Sequence, residues 1–294
     1  MKILRVIGLT LLIAAPAIAQ TKSGGPAAAS KPSSTEQMVL PSHGEMLLGV
    51  FYLAAGNGPH PTAIIFHGFP GYEQNLDIAQ FLRAHGWNVL AMHYRGSWGV
   101  KGNFSFEHCA EDADTQVQFI LDPANARKYG IDTHRVIVIG HSMGGFMAAS
   151  AAAHNRGVAA AVLISAWNPA DDYAPIRAKT WAAAIVVEAK RLASDNNLLP
   201  LAGTSGEALA HEIYEHQSAL DMNNLAPAIA PRPAFVITAN EGLEPVDHAF
   251  AEALRKAGDR QVAERHWNTD HSYSGERVAL SNAIWEWAET SLPH

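Results

Sequence analysis

Cysteine is nearly absent: Cys109 is the one thiol in 294 residues, so no disulfide can form within the chain. A disulfide-stapled scaffold is excluded, and stability must come from packing. Cys109 falls beside acidic residues in a predicted helix and reads as a packing residue. Long apolar runs are missing too. No stretch reaches the roughly 20 residues of a membrane-spanning helix, so stable membrane insertion is not expected. Basic clusters are also missing. The formal charge is −7, and an acidic chain without a basic patch is a poor nucleic-acid ligand. No internal repeat is visible, and nothing in the pattern sets an oligomeric state.

What is present has an ordinary globular balance, with 48% apolar and 17% charged residues. The length suits one sizeable core, or one domain with an insertion. The first residues differ from the rest. Lys2 and Arg5 flank the start of an apolar run over 6–13, and Ala17-Ile18-Ala19 is a small-x-small site. This pattern predicts a signal peptide over 1–19, and hence a secreted or periplasmic protein. Its removal leaves 19 basic against 28 acidic residues, a net −9. Residues 20–35 are rich in Ser, Gly, Ala and Pro and predict a flexible linker.

From residue 36 onward, strand-like runs at 46–53, 62–66, 88–93, 135–140, 159–165, 234–239 and 261–267 alternate with helical patterns. The helices are expected at 76–85, 107–121, 144–154, 246–257 and 281–291. Several strands are continuous apolar runs, as in strands buried on both faces. The alternation predicts an α/β fold, a mainly parallel sheet of about 7–8 strands with helices on both sides. The short Gly56-Asn57-Gly58-Pro59 connection predicts an antiparallel hairpin of 46–53 with 62–66. Residues 166–232 break the alternation. Helices expected over 176–193 and 207–220 suggest a helical cap inserted between two strands.

Gly140-His141-Ser142-Met143-Gly144 matches G-x-S-x-G between a predicted strand and a predicted helix. The chemistry needs this spacing. A sharp turn lifts a serine hydroxyl off the sheet edge, and glycines let the helix approach the strand. The helix start then offers free N–H groups to a developing oxyanion. The competing reading is a serine that merely caps a helix. His67-Gly68-Phe69-Pro70-Gly71 follows the strand 62–66 and is a candidate oxyanion loop. Its donor would be Phe69, because Pro70 has no N–H, and Met143 would supply the second. His271 follows the last strand and is the candidate general base. The acid should follow the strand 234–239. Glu241 is the first carboxylate there, with Glu244, Asp247, and Asp171 or Asp172 left open.

These residues together resemble the α/β-hydrolase family over about residues 40–292, with the dienelactone-hydrolase and prolyl-oligopeptidase-like serine hydrolases as the nearest branch. The motifs that carry the resemblance are His67–Gly71, the run His93-Tyr94-Arg95-Gly96-Ser97-Trp98-Gly99, Gly140–Gly145 and Asp270-His271-Ser272. The resemblance implies a Ser–acid–His triad, hydrolysis through an acyl-enzyme, no cofactor and no metal. Arg95, Trp98 and Trp181 are substrate-pocket candidates. His211-Glu212-Ile213-Tyr214-Glu215-His216 does not make a zinc motif, since His216 lies roughly 140° around a helix from His211. It reads as a polar surface helix. The expected activity is cleavage of a carboxylic ester with a small or medium acyl group. A peptidase or amidase with the same triad, and a non-catalytic binding protein on this scaffold, are the other readings.

Overall fold

The computed structural model describes residues 31–173 and 180–293, without the side chains of 172 and 173. The predicted signal peptide and the linker up to residue 30 lie outside the described residues. Among the described residues eight strands build one sheet: β1 (Ser34–Ser42), β2 (Glu45–Leu53), β3 (His60–Phe66), β4 (Asn88–Met92), β5 (Ile131–His141), β6 (Ala160–Ile164), β7 (Ala234–Ala239) and β8 (Ala263–Trp267). Their spatial order is β1-β2-β4-β3-β5-β6-β7-β8. From β4 to β8 every neighbouring pair is parallel, whereas β1–β2 and β2–β4 are antiparallel.

The helices are α1 (Leu76–Ala84), α2 (Phe106–Leu121), α3 (Pro123–Tyr129), α4 (Met143–His154), α5 (Trp181–Leu192), α6 (Gly206–Glu215), α7 (Ala226–Ile229), α8 (Glu244–Lys256) and α9 (Arg277–Ser291). Alternation along the strands sorts the core into two layers. Ile64, Val136, Val138, Leu163 and Val236 face a layer that includes α2, α4 and α8. Ile65, Ile137, Ile139, Val162 and Ile237 face α1 and α9. Helix α4 is buried from Met143 to Ala152, the state expected of a helix that is apolar all round.

Four expectations are corrected. The strands at 46–53 and 62–66 do not pair, because β4 lies between β2 and β3. The hairpin is β1–β2 instead, turned by His43 and Gly44, both at positive φ, as a two-residue turn with the twist of the strands requires. Strand β1 begins inside the predicted linker. It is an edge strand with Met38, Leu40 and Ser42 buried and the alternate residues exposed, so its apolar signal is weak. The helix expected over 207–220 ends at Glu215. It is not a polar surface helix either: Leu209, Ala210 and Ile213 are buried, and Glu212 accepts the N–H groups of Phe106 (3.1 Å) and Glu107 (2.8 Å) at the start of α2. Helix α3 was not expected, although Asp122 caps it, Pro123 opens it and Gly130 ends it in the left-handed region.

The 166–232 insertion between β6 and β7 carries α5, α6 and α7. The first helix expected there runs from Trp181 to Leu192, and residues 176–179 fall outside the described residues. Its neighbour α6 packs on it, with Trp181 against Tyr214 at 4.6 Å between ring centres.

Candidate active site

Strand β5 ends at His141 and α4 begins at Met143, so the chain reverses within Ser142. Ser142 takes φ 58° and ψ −123°, a costly conformation for a residue with a side chain. Its surroundings hold it there. Its N–H donates to Ile164 O (2.9 Å), and its carbonyl accepts from Gly145 N (2.8 Å) and Trp167 N (2.9 Å). A methyl group on Gly140 would overlap the Gly144 carbonyl, and one on Gly144 would overlap the Phe66 carbonyl. The two motif glycines are thus required by the closeness of α4 to β5 and β3. The Ser142 side chain makes no capping hydrogen bond, which removes the helix-cap reading.

Because β3 pairs with β5, with Phe66 beside Gly140, the loop His67–Gly71 lands on Ser142. A Cβ on Gly68 would lie 3.0 Å from Ser142 Cβ and 3.5 Å from its Oγ. Gly68 is needed for space; its φ is not positive, so an unusual dihedral is not the reason. His67 is buried, and its Nδ1–H donates to Gly68 O at 2.8 Å. Burial, with a smaller push from His93, lowers its pKa to about 4, so the ring is neutral and this tautomer is held. Among the described residues no acceptor takes the Phe69 N–H. Met143 is the first residue of α4, where an N–H has no intrahelical partner.

His271 follows β8, and its Nδ1–H donates to Glu241 Oε2 at 3.1 Å. Glu241 sits two residues past β7, parallel to β8, so adjacent strand ends deliver acid and imidazole to one place. Burial alone would raise the Glu241 carboxyl. The hydrogen bond and charge of His271, with the Ser165 hydroxyl nearby, outweigh it and hold the pKa below its usual value. The other carboxylates go elsewhere. Glu244 is exposed and nearest His266; buried Asp247 accepts the Ala166 N–H at 3.1 Å. Asp171 accepts from Asn168 at 3.2 Å, Asp270 accepts the Ser274 N–H at 2.9 Å, and the Asp172 side chain lies outside the described residues.

A cavity of about 380 Å³ is lined by Ser142, His271, Glu241, Phe69, Trp167, Arg191, Leu192, Asn197 and Leu243. None of the three expected pocket residues is among them. Arg95 is buried and bonded to Asp112 through its main-chain N–H and its Nε, both at 2.7 Å, with Glu111 as a further partner. Trp98 donates its indole N–H to Pro70 O at 2.8 Å, behind the loop. Trp181 packs at a tilt against Tyr214 within the insertion. The lining residues that were missed are mostly on the insertion. Trp167 had a readable signal: it stands just beyond β6, at the same sheet edge as Ser142, where α/β proteins build their sites. Phe106 packs edge-on to Trp167 at 5.1 Å, and the Arg191 guanidinium lies 5.5 Å over its ring.

The sheet order and this corner of it define an α/β hydrolase. The chain belongs to the family described as serine aminopeptidase, S33, whose sequence pattern matches residues 57–253. Solved structures with the same fold include an esterase from Pyrococcus furiosus (TM-score 0.65, 17% identity, 89% of this chain and 92% of that one) and an α/β hydrolase from Penicillium sp. sh18 (TM-score 0.63, 17% identity, 89% and 99%). A Pyrobaculum calidifontis esterase is similar as well (TM-score 0.62, 18% identity, 88% and 87%). A curated relative is acylamino-acid-releasing enzyme 1 of Oryza sativa subsp. japonica, 30% identical over 112 residues. That match spans 33% of this chain and 13% of the rice protein. Among the described residues no cluster of metal-ligating side chains occurs, and no helix is long and apolar enough to cross a membrane.

Proposed function

We propose that the protein is a serine hydrolase that cleaves carboxylic esters with Ser142 as nucleophile, His271 as base and Glu241 as acid. The observation that carries this reading is the Glu241–His271 hydrogen bond at the wall of the cavity that also holds the strained Ser142. Glu241 fixes the imidazole tautomer, leaving Nε2 as the acceptor. His271 takes the Ser142 proton as Oγ attacks the carbonyl carbon, and the N–H groups of Phe69 and Met143 receive the oxyanion. His271 then protonates the leaving alcohol. Water, deprotonated by the same imidazole, releases the acid and restores Ser142.

The insertion serves as a cap over the acyl site, contributing Arg191, Leu192 and Asn197 to the cavity. The apolar wall of Phe69, Trp167, Leu192 and Leu243 suits a small or medium acyl group. Lys2, Arg5 and the small-x-small site support export to the periplasm or medium.

The family match and the rice relative favour a second reading, an aminopeptidase or acylpeptide hydrolase. An aminopeptidase needs a carboxylate for the free α-ammonium. Among the described lining residues the one carboxylate, Glu241, is engaged by His271, which supports the ester reading. Parallel assays on p-nitrophenyl esters, aminoacyl amides and N-acylated amides, with Ser142→Ala as blank, decide between them. Ester turnover at least tenfold above either amide is expected; preferred amide turnover overturns the choice.

A further inference from the structure

Phe69 lies between two carbonyls that are both held from outside the loop's backbone. On one side His67 Nδ1–H binds Gly68 O at 2.8 Å. That carbonyl shares a peptide unit with the Phe69 N–H, and in a trans peptide the two point opposite ways. Fixing the oxygen therefore aims the N–H. On the other side Trp98 Nε1–H binds Pro70 O at 2.8 Å. The approach is tight: a Cβ on Gly71 would lie 2.6 Å from Trp98 Nε1 and 2.8 Å from the His67 ring. Gly71 has φ +105°, so both space and backbone there exclude a side chain.

Trp98 is itself held by the insertion. Its main-chain N–H donates to Pro200 O at 2.8 Å, Ser97 bridges Leu201, and Ala202 N–H donates to Gly96 O at 2.8 Å. Its φ of 50° is a left-handed conformation maintained by this stitching. The Tyr72 ring stands edge-on to the indole at 5.2 Å, and Tyr72 OH donates to Asn196 O at 3.3 Å, next to the cavity-lining Asn197.

We propose that Trp98 is a positioning residue for the oxyanion donor Phe69, tying the His67–Gly71 loop to the 196–202 segment of the insertion. A positioned donor acts on the transition state more than on the bound substrate, so its loss appears in kcat. This proposal rests on the serine hydrolase reading.

The test is Trp98→Phe, which removes the indole N–H and keeps an aromatic ring beside Tyr72. Turnover of a p-nitrophenyl ester is expected to fall about 10–100-fold in kcat, with KM within about threefold, less than the loss of a whole donor. Affinity for an alkyl boronic acid, which mimics the tetrahedral adduct, should fall by the same factor as kcat/KM. A variant with unchanged kcat and boronate affinity overturns the proposal, and so does a change confined to KM. If Trp98→Phe does not fold, replacing Trp98 by 3-benzothienylalanine removes only the N–H, and the same outcomes decide. A folded wild-type protein that neither turns over ester nor reacts with a fluorophosphonate defeats the hydrolase reading itself; an active wild type with an equally active variant defeats only the role of Trp98.

Discussion

His141, the residue before Ser142, donates its Nε2–H to the main-chain oxygen of His271 at 2.8 Å, with the two rings 4.6 Å apart. One buried side chain thus ties the end of β5 to the loop that carries the candidate base. His141→Phe keeps the ring packing and removes this bond. The expected result is a kcat lowered by about tenfold, the order of one lost neutral hydrogen bond. Steady-state kinetics on an ester, against a melting curve, checks it.

Burial and the nearby His271 lower the His141 pKa to about 3, and burial lowers that of His67 to about 4. Unfolded histidines bind a proton near pH 6.5. Between pH 6.5 and 4 the unfolded chain therefore binds more protons than the folded one at these sites. Their contribution is fully present above that window and is lost as pH falls through it. Each accounts for about 1.4 kcal/mol per pH unit. Raised carboxyls such as Asp112 and Asp247 act in the opposite sense, so the test is a difference. Denaturant unfolding from pH 6 to 4.5 should show a slope in His141→Phe shallower by about one proton than in the wild type.

Glu241→Gln leaves a group of the same size on His271 but removes the charge that opposes the imidazolium. A kcat loss of about 10³–10⁴ is expected, in line with other triads whose acid is neutralised. Glu244→Gln, at an exposed side chain away from His271, should leave kcat within about twofold. Full activity in Glu241→Gln moves the acid elsewhere.

Arg95 offers a contrasting prediction. It is a buried partner of the buried Asp112, which also accepts from Ser42 Oγ at 2.6 Å. Arg95→Ala strands that carboxylate and should cost about 3–5 kcal/mol of stability. Chemical denaturation measures this, and KM of the folded fraction should be unchanged.

What the sequence made legible was whatever depends on local pattern. Continuous apolar runs announced the buried strands, and G-x-S-x-G placed Ser142 between strand and helix. Edge strand β1 was illegible because six of its nine residues are exposed, including its first four in a row. The true partner of β2 was illegible because pairing with β4 is long-range, and a short connection resembles a hairpin. Glu241 could be ranked first by its place after β7, but only the β7–β8 register puts it on His271. Arg95 and Trp98 do follow a strand at the expected sheet edge. Their partners, Asp112 and Pro70, turn both away from the cavity. Arg191, Leu192 and Asn197 reach the cavity only through the way the insertion folds.

The central claim is that Ser142 is the nucleophile. Intact-mass and peptide mass spectrometry after treatment with a fluorophosphonate test it most directly. A single adduct on the peptide containing Ser142 is expected, absent from Ser142→Ala, together with loss of ester hydrolysis in that variant. A folded wild-type protein that stays unlabelled, or a Ser142→Ala variant that still hydrolyses ester at the wild-type rate, contradicts it.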